Sequence, residues 1–342
     1  MTTLKSLAQH LNLSQATVSR ALNGFPEVGD KTRKRVLLAA ANLGYKPNLS
    51  ARKLATGRSG MIGIVLGSPD ELINAPTYVE ELANISHLLG DYDYDFLINF
   101  ARKGKELESF KRFVSSQTID GLIIKAPEVD DLRVSYLLEN NFPFVVHGRT
   151  ISNPDYAYFD INNEDVLIQS VDFLAEHGHK SIAFINAPAH MAFAVQRRQG
   201  FVKAMASRNL EYPESYIQNA LMIEEDGYKA GMTLLGKNSS TAIPTAIICA
   251  SISQAYGLYH AARELGINIG NDLSVIAHDD VIAHLKPEHF DPPLTVTRSP
   301  FIDACKPLTD KIMALLSGTD ARDLQTIVPV ELIVRKSTTR IR

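Results

Sequence analysis

The sequence predicts two structural regimes in one chain: an N-terminal all-α domain of three short helices, then a two-lobed α/β body of doubly wound parallel sheets. Three observations carry this. In the first 45 positions apolar residues recur at helical spacing and are cut by turn residues. From Met61 onward, short continuous apolar runs alternate with amphipathic stretches of helical length, the pattern of parallel strands covered on both faces. The charge is divided in the same way. Of 342 residues, 35 are Lys or Arg and 38 Asp or Glu, a net of −3. Up to Arg58, however, ten basic residues face only Glu27 and Asp30, a net of +8, and the remainder carries −11.

The helices can be placed residue by residue. Leu4, Leu7, Ala8 and Leu11 form one apolar helix face. Asn12-Leu13 breaks the pattern, and Ser14 is a good N-cap for a second helix through Ala16, Val18, Ala21 and Leu22. Asn23-Gly24-Phe25-Pro26 stops it. A third helix begins near Asp30, is expected to pack Val36, Leu37, Ala40 and Leu43, and ends at Gly44. Asn48 to Gly57 (NLSARKLATG) could form two helical turns, too short to be stable alone in water.

The expected strands are MIGIVLG from Met61, DFLINF (95–100), DGLIIK (120–125), FPFVVH (142–147), SIAFIN (181–186), TAIICA (245–250) and LSVIAH (273–278). Asn163–His177 and Ser253–Leu265 are among the helices between them. The expected division is a small helical domain at 1–46, a linker at 47–58 and a body at 61–342. Lobe 1 would take about 61–160 and 294–325, and lobe 2 about 161–293 and 326–342.

Composition narrows the function classes. Hydrophobic content of 45% suits a globular protein. No apolar run approaches the roughly 18–20 residues that span a bilayer, and MTTLKSLAQHLN lacks a signal peptide's apolar core. Cys249 and Cys305 offer neither a disulfide framework nor a CxxC pair. The expectation is a cytoplasmic protein with no membrane partner, no metal and no cofactor. His278, Asp279, Asp280, His284, Glu288 and His289 match no closed ligand set. Neither a GxSxG elbow nor a GxxxxGK[ST] loop is present, so nothing supports catalysis.

Two helices joined by a three-residue turn, then a third, form the helix-turn-helix plan, in which the second helix enters the major groove. Here it would present Gln15, Ala16 and Arg20 to base edges: Arg suits guanine, Gln suits adenine, and Ala can touch a thymine methyl. Thr3, Ser14, Thr17, Ser19, Asn23 and Thr32 are short hydrogen-bonding side chains placed to hold phosphates.

LKSLAQHLNLSQATVSRALNG, followed by VGDKTRKRVLLAAANLGYKPNLSARKLATGRSGMIGIVL, closely resembles the lac repressor (LacI/GalR) family. The match is dense through residue 67 and looser beyond, in DGLII, FVVHGR, EHGHKSIAFI, RRQGF, DGYKAG, LSVIAHDD and PPLTVTR. The resemblance implies a regulator, most simply a repressor, binding a roughly palindromic double-stranded operator as a dimer. It makes 47–58 a hinge helix that folds on operator, with Leu54 wedged between base pairs in the minor groove and Asn48, Ala51 and Lys53 alongside. It gives the body a periplasmic-binding-protein-like fold around a small effector. The tail VRKSTTRIR lacks the leucine heptads of tetrameric members, so a homodimer is expected.

Carried over one position at a time, the resemblance implies effector contacts at Tyr78, Arg197 and Asp279. Met191 and Phe193 precede Arg197, and Met222 lies on the following segment. His147 and Arg149 close FVVHGR, and Asp160 ends YFD near an expected lobe crossover. Ser251-Ile252 stands where sugar-responsive members usually carry Asn-Asp, so Ser251 replaces two strong hydroxyl partners. A sugar or glycoside remains the expected effector, with a faint similarity to α-glucoside regulators. The alternative is a sugar-binding or sugar-processing protein with an accessory basic arm.

Overall fold

Thr3 opens the first helix. Its hydroxyl accepts a hydrogen bond from Ser6 N at 3.2 Å while Ser6 Oγ accepts from Thr3 N at 2.9 Å, so two otherwise orphan amides are capped reciprocally. In the computed structural model described here, α1 spans Leu4–Leu11, α2 Gln15–Leu22 and α3 Asp30–Asn42. The structure describes every residue except 1, 23, 46–56, 68–75, 103, 153–154, 237–241, 283, 300–303 and 342, and the side chains of 76 and 77. Ser14 caps α2 as its sequence suggests, accepting from Thr17 N at 3.0 Å.

The three helices close on Leu7, Ala8, Leu11, Val18, Ala21, Val28, Val36 and Ala40. Leu37 and Leu43, expected inside, are 49% and 37% exposed. Short helices cover only one stripe of α3, and Leu37 is turned about 100° from Val36 around the helix axis. Two arginines of the basic segment are structural. Arg33 Nη2 donates to Phe25 O at 2.9 Å and Val28 O at 3.1 Å, and Arg35 Nη2 donates to Leu11 O at 2.5 Å.

The body begins where Asp120 receives Ser59 N at 2.6 Å and Gly60 N at 2.8 Å, fixing the chain as it enters the first strand. One sheet holds β1 Met61–Leu66, β2 Asp95–Phe100, β3 Gly121–Lys125, β4 Phe144–His147, β5 Ala157–Ile161 and β11 Gln325–Val328. Its order is β11-β5-β4-β3-β1-β2, all parallel. The other holds β6 Ile182–Asn186, β7 Ile217–Asn219, β8 Ala246–Cys249, β9 Ser274–Asp279, β10 Thr295–Arg298 and β12 Glu331–Ile333. Its order is β12-β10-β9-β8-β6-β7, parallel except for the β10–β12 pair.

Helices α4 Pro76–Gly90, α5 Glu106–Ser116, α6 Leu132–Glu139 and α11 Cys305–Leu316 belong to the first lobe. The second has α7 Asn163–Glu176, α8 Ala192–Ser207, α9 Glu224–Leu235 and α10 Ile252–Glu264. Each sheet carries apolar clusters on both faces, which is why its strands read as unbroken apolar runs. Helices α9 and α10 touch backbone to backbone: a Cβ on Gly257 would sit 2.0 Å from Glu224 O.

The lobe crossings differ from the expected ones near 294 and 326. β10 pairs with β9 and stays in the second sheet, while β11 pairs with β5 in the first. The chain therefore crosses after β5, between β10 and α11, and between β11 and β12. Thr295, Val296 and Thr297 are buried β-branched strand formers, and the two threonine hydroxyls hide the strand from a reading based on apolar runs. Among the described residues, no helix is long and apolar enough to cross a membrane.

Candidate nucleic-acid interface and effector cleft

On α2, Val18 and Ala21 face the small core, which turns Gln15, Ala16 and Arg20 to solvent on one face. Around them, Thr3 and Ser14 are exposed, and Thr17, Ser19 and Thr32 are half-buried. Thr3 and Ser14 already accept backbone amide hydrogens as caps. The Thr3 hydroxyl also donates to Ser6 Oγ at 3.3 Å and must turn from it to reach a phosphate oxygen, and Ser14 Oγ shares a 2.8 Å bond with the Thr17 hydroxyl. Asn23, Asn48, Ala51, Lys53 and Leu54 lie outside the described residues.

In the body, polar side chains gather at the C-terminal ends of the strands, where open parallel sheets hold ligands. Asp160, buried on β5, pairs with the guanidinium of Arg149 and accepts from Asn163 Nδ2 at 3.1 Å. Asn163 Oδ1 accepts from Arg197 Nε at 3.0 Å, and Arg197 Nη1 donates to Ala250 O at 2.8 Å. A single chain, Arg149–Asp160–Asn163–Arg197, thus runs from lobe 1 through the crossover into lobe 2. Burial raises the Asp160 carboxyl despite Arg149 and the amide of Ile161. Burial lowers the Arg197 guanidinium to about 10, with Asp280 and Asp160 opposing. The Phe193 ring lies 5.0 Å from the Arg197 guanidinium carbon.

Asp280, just past β9, is the carboxylate beside Arg197. Burial pushes it up to about 7, Arg197 pulls it down and Asp279 adds to the rise; a fifth of its side chain stays exposed. His278 Nε2 lies 3.7 Å away, and burial followed by the Arg197 charge holds that imidazole well below its usual range. Asp279 itself faces its own turn, where Oδ1 accepts from Val281 N at 2.8 Å, and burial raises its carboxyl.

A second cluster sits at the end of lobe 1. Lys125 pairs with Glu81, which is fully buried, and the Tyr78 ring lies 3.7 Å from Lys125 Nζ. His147 Nδ1 is 3.6 Å from Glu81 Oε1. Burial alone would raise Glu81, but the charge of Lys125 and the bond from His147 outweigh it and hold the carboxyl low. Ser251 caps α10, accepting from Gln254 N at 3.2 Å, and Ile252 is wholly core. Met191, Phe193 and Met222 pack at the edge of the second-lobe core.

The structure therefore joins Arg149, Asp160 and Arg197 in one network and His147 and Tyr78 in another, while Asp279 and Met222 stand apart from both. Glu81, Lys125, Asn163 and Asp280 were not singled out as effector residues. For Glu81 and Lys125 the sequence offers no signal, since buried and exposed charges look alike in it. For Asp280 the signal is the Asp279-Asp280 pair, of which the resemblance implies only Asp279 as an effector contact; Asp280 is the member coupled to Arg197. A further cleft of about 370 Å³ spans both lobes on the crossover side, lined by Arg149, Thr150, Ile151, Tyr158, Glu164, Gln196 and Gln199.

Among the described residues the arrangement supplies fixed donors and acceptors. Burial pushes the Cys249 thiol far up, and Cys305 is buried too. No cluster of three His, Cys, Asp or Glu residues that could hold a metal occurs among the described residues. The site is built to bind.

Comparison with known proteins agrees. Residues 3–48 match the model for bacterial regulatory proteins of the lacI family, and residues 171–338 match that for a periplasmic binding protein-like domain. The HTH-type transcriptional regulator AglR of Rhizobium meliloti (strain 1021) is 38% identical over 336 residues, 98% of this chain and 94% of its own. The solved complex of the transcriptional regulator CelR with cellobiose superposes with a TM-score of 0.72 at 26% identity, covering 98% of this chain and 100% of that one. The lac repressor bound to ONPG in its repressed state gives 0.76 at 26% identity, covering 98% and 99%.

Proposed function

The chain belongs to the lacI family of bacterial regulatory proteins, DNA-binding transcriptional regulators and not enzymes, and on that premise we propose that it is a dimeric repressor released from, or locked onto, a palindromic operator by a sugar. The observation that carries the DNA half is the exposed face of Gln15, Ala16 and Arg20 on a helix whose opposite face is locked into a core. Two such helices related by a twofold axis meet two half-sites. Thr3, Ser14, Thr17, Ser19, Asn23 and Thr32 set their register on the phosphates. Asn48, Ala51, Lys53 and Leu54 then enter the minor groove, where Leu54 wedges and bends the duplex.

Pairing has an available surface. Val79 is 53% exposed on α4, and Ile98 and Phe100 project from β2, which is the edge strand of its sheet. Leu221 and Tyr256 are exposed apolar residues on the other lobe. Large apolar side chains of this kind on both lobes suit a twofold interface along the length of the body.

The effector half rests on the network from Arg149 to Arg197 and Asp280. Buried, paired charges that cross between lobes can exchange one another for ligand hydroxyls, so binding biases the lobe arrangement and with it the hinge segments. Tyr78, His147, Met191, Phe193, Met222, Ser251 and Asp279 complete the proposed lining. The similarity to a cellobiose-bound regulator supports a sugar or glycoside, with α-glucosides the first to test. A thermal-shift screen of mono- and disaccharides identifies the effector. Operator binding measured with and without it then tests the switch, and a sugar that binds without changing DNA affinity overturns it.

A further inference from the structure

Two backbone hydrogen bonds cross directly between the lobes. Val129 N donates to His190 O at 3.0 Å and Ala192 N donates to Pro127 O at 3.0 Å, with Glu128 and Met191 paired antiparallel. The first segment follows β3 in lobe 1, and the second precedes α8 in lobe 2. Neither bond survives separation of the strand ends that carry them.

Lobe 1 holds its half of this ribbon stiffly. Ala126 adopts a left-handed φ of 46°, unusual for a residue with a Cβ. Asp131, 4% exposed, accepts from Glu128 N at 3.0 Å and Arg133 N at 2.9 Å. Its carboxylate also pairs with the Arg133 guanidinium at 2.5 Å, and that guanidinium reaches back to Ala126 O at 3.3 Å. From the other side, Gly148 has φ +102°, and a Cβ there would stand 2.9 Å from Pro127 Cδ. The loop is clamped between a carboxylate and a glycine.

In lobe 2, Met191 is the N-cap residue of α8 and Ala192 its first helical residue. No side chain caps this helix end, so lobe 1 supplies an acceptor for one of the amides that a helix leaves unpaired. The ribbon therefore seats the N-terminus of the helix that carries Phe193 and Arg197.

We propose that this ribbon is a latch that holds the lobes at their effector-binding separation, and that Asp131 and Gly148 are positioning residues for it. The proposal rests on the effector-cleft reading above. When the cleft opens, water replaces both bonds, so each biases the closed form only about fivefold and the pair about 25-fold. A latch this weak is reversible, which a regulated cleft requires.

The test is a distance measurement on the full chain without ligand. Cys249 and Cys305 are buried, so cysteines introduced at the exposed Leu138 on α6 and Val202 on α8 accept spin labels selectively. Excess unlabelled chain keeps one labelled copy per assembly. Ala192→Pro deletes one bond at a helix position proline tolerates, after a Met191 already extended at φ −75° and ψ 131°. Val129→Pro deletes the other from a half-buried turn and carries the test if the first variant misfolds. Each should raise the ratio of long to short separations about fivefold, the double variant about 25-fold, and Gly148→Ala should shift it the same way. Unchanged distance distributions in folded Val129→Pro overturn the latch. A sugar screen that finds no ligand overturns the effector reading instead, because the distances are measured without one.

Discussion

Asp280→Asn should flatten one component of the pH dependence of stability, and the structure gives its sign and size. Asp280 ionises near 3.8 in an unfolded chain and near 7 in the folded one, where burial outweighs the pull of Arg197. Between those values the folded state holds more protons than the unfolded state. The stability contributed by this carboxyl therefore falls as pH rises through the window. Taken whole, the gap from 3.8 to about 7 would cost about 4 kcal/mol. A fifth of the side chain is exposed, so solvent screening should leave about 2 kcal/mol. Asparagine cannot ionise and is spared that loss. Thermal unfolding of both proteins from pH 4 to 8 should show the variant gaining roughly 4–8 °C on wild type toward the alkaline end. His179 and His278, held neutral by burial, push the other way: their contribution rises with pH up to about 6.5. His278 lies 3.7 Å from Asp280 and is altered by the substitution too, so the comparison is read above about pH 6.5, where neither histidine adds a slope. A difference independent of pH would show that Asp280 is not the strained carboxylate described here.

Three further outcomes concern binding. Arg20→Ala should lose discrimination at one base pair of each half-site, roughly 5- to 150-fold, with effector binding intact, as scored by competition between single-base operator variants. Leu54→Ala should weaken specific binding and reduce DNA bending, and an unaltered bend angle by gel phasing would refute the wedge. Asp279→Ala should keep operator affinity while abolishing the effector response. If it responds at wild-type effector concentrations, the carboxylate that matters is elsewhere, with Asp280 the first candidate.

The N-terminal helices were legible because their signals are local. Ser14 caps within three residues, and Leu7, Leu11 and Val18 need only helical spacing. Leu37 misled because periodicity gives a face and not how much of it is covered. Seven strands were legible as apolar runs, but two interior ones were not: β5 carries Asp160 and β10 carries Thr295 and Thr297, which interrupt such a run. β7, β11 and β12 are short, sit at sheet edges and are only partly buried. The cleft was least legible. Arg197, Asp160 and Arg149 could be named, but the bond through Asn163 and the salt bridge from Lys125 to Glu81 join residues 34 and 44 positions apart. Such pairings are set by sheet topology, which no local pattern encodes.

The charge division also resolves into parts. Arg33 and Arg35 hold the small domain together, which leaves Arg20 exposed on the presented helix face. The acidic body disfavours contact of the lobes with DNA, so approach is directed to one end of the molecule.

The central claim, a twofold reader of DNA sequence, is tested most directly by selecting duplexes from a random pool with the purified full chain. The account predicts enrichment of a roughly palindromic site whose half-sites lose their preference when Arg20 is replaced by alanine. Recovery of an unenriched pool, or of a single asymmetric site indifferent to Arg20→Ala, would contradict it.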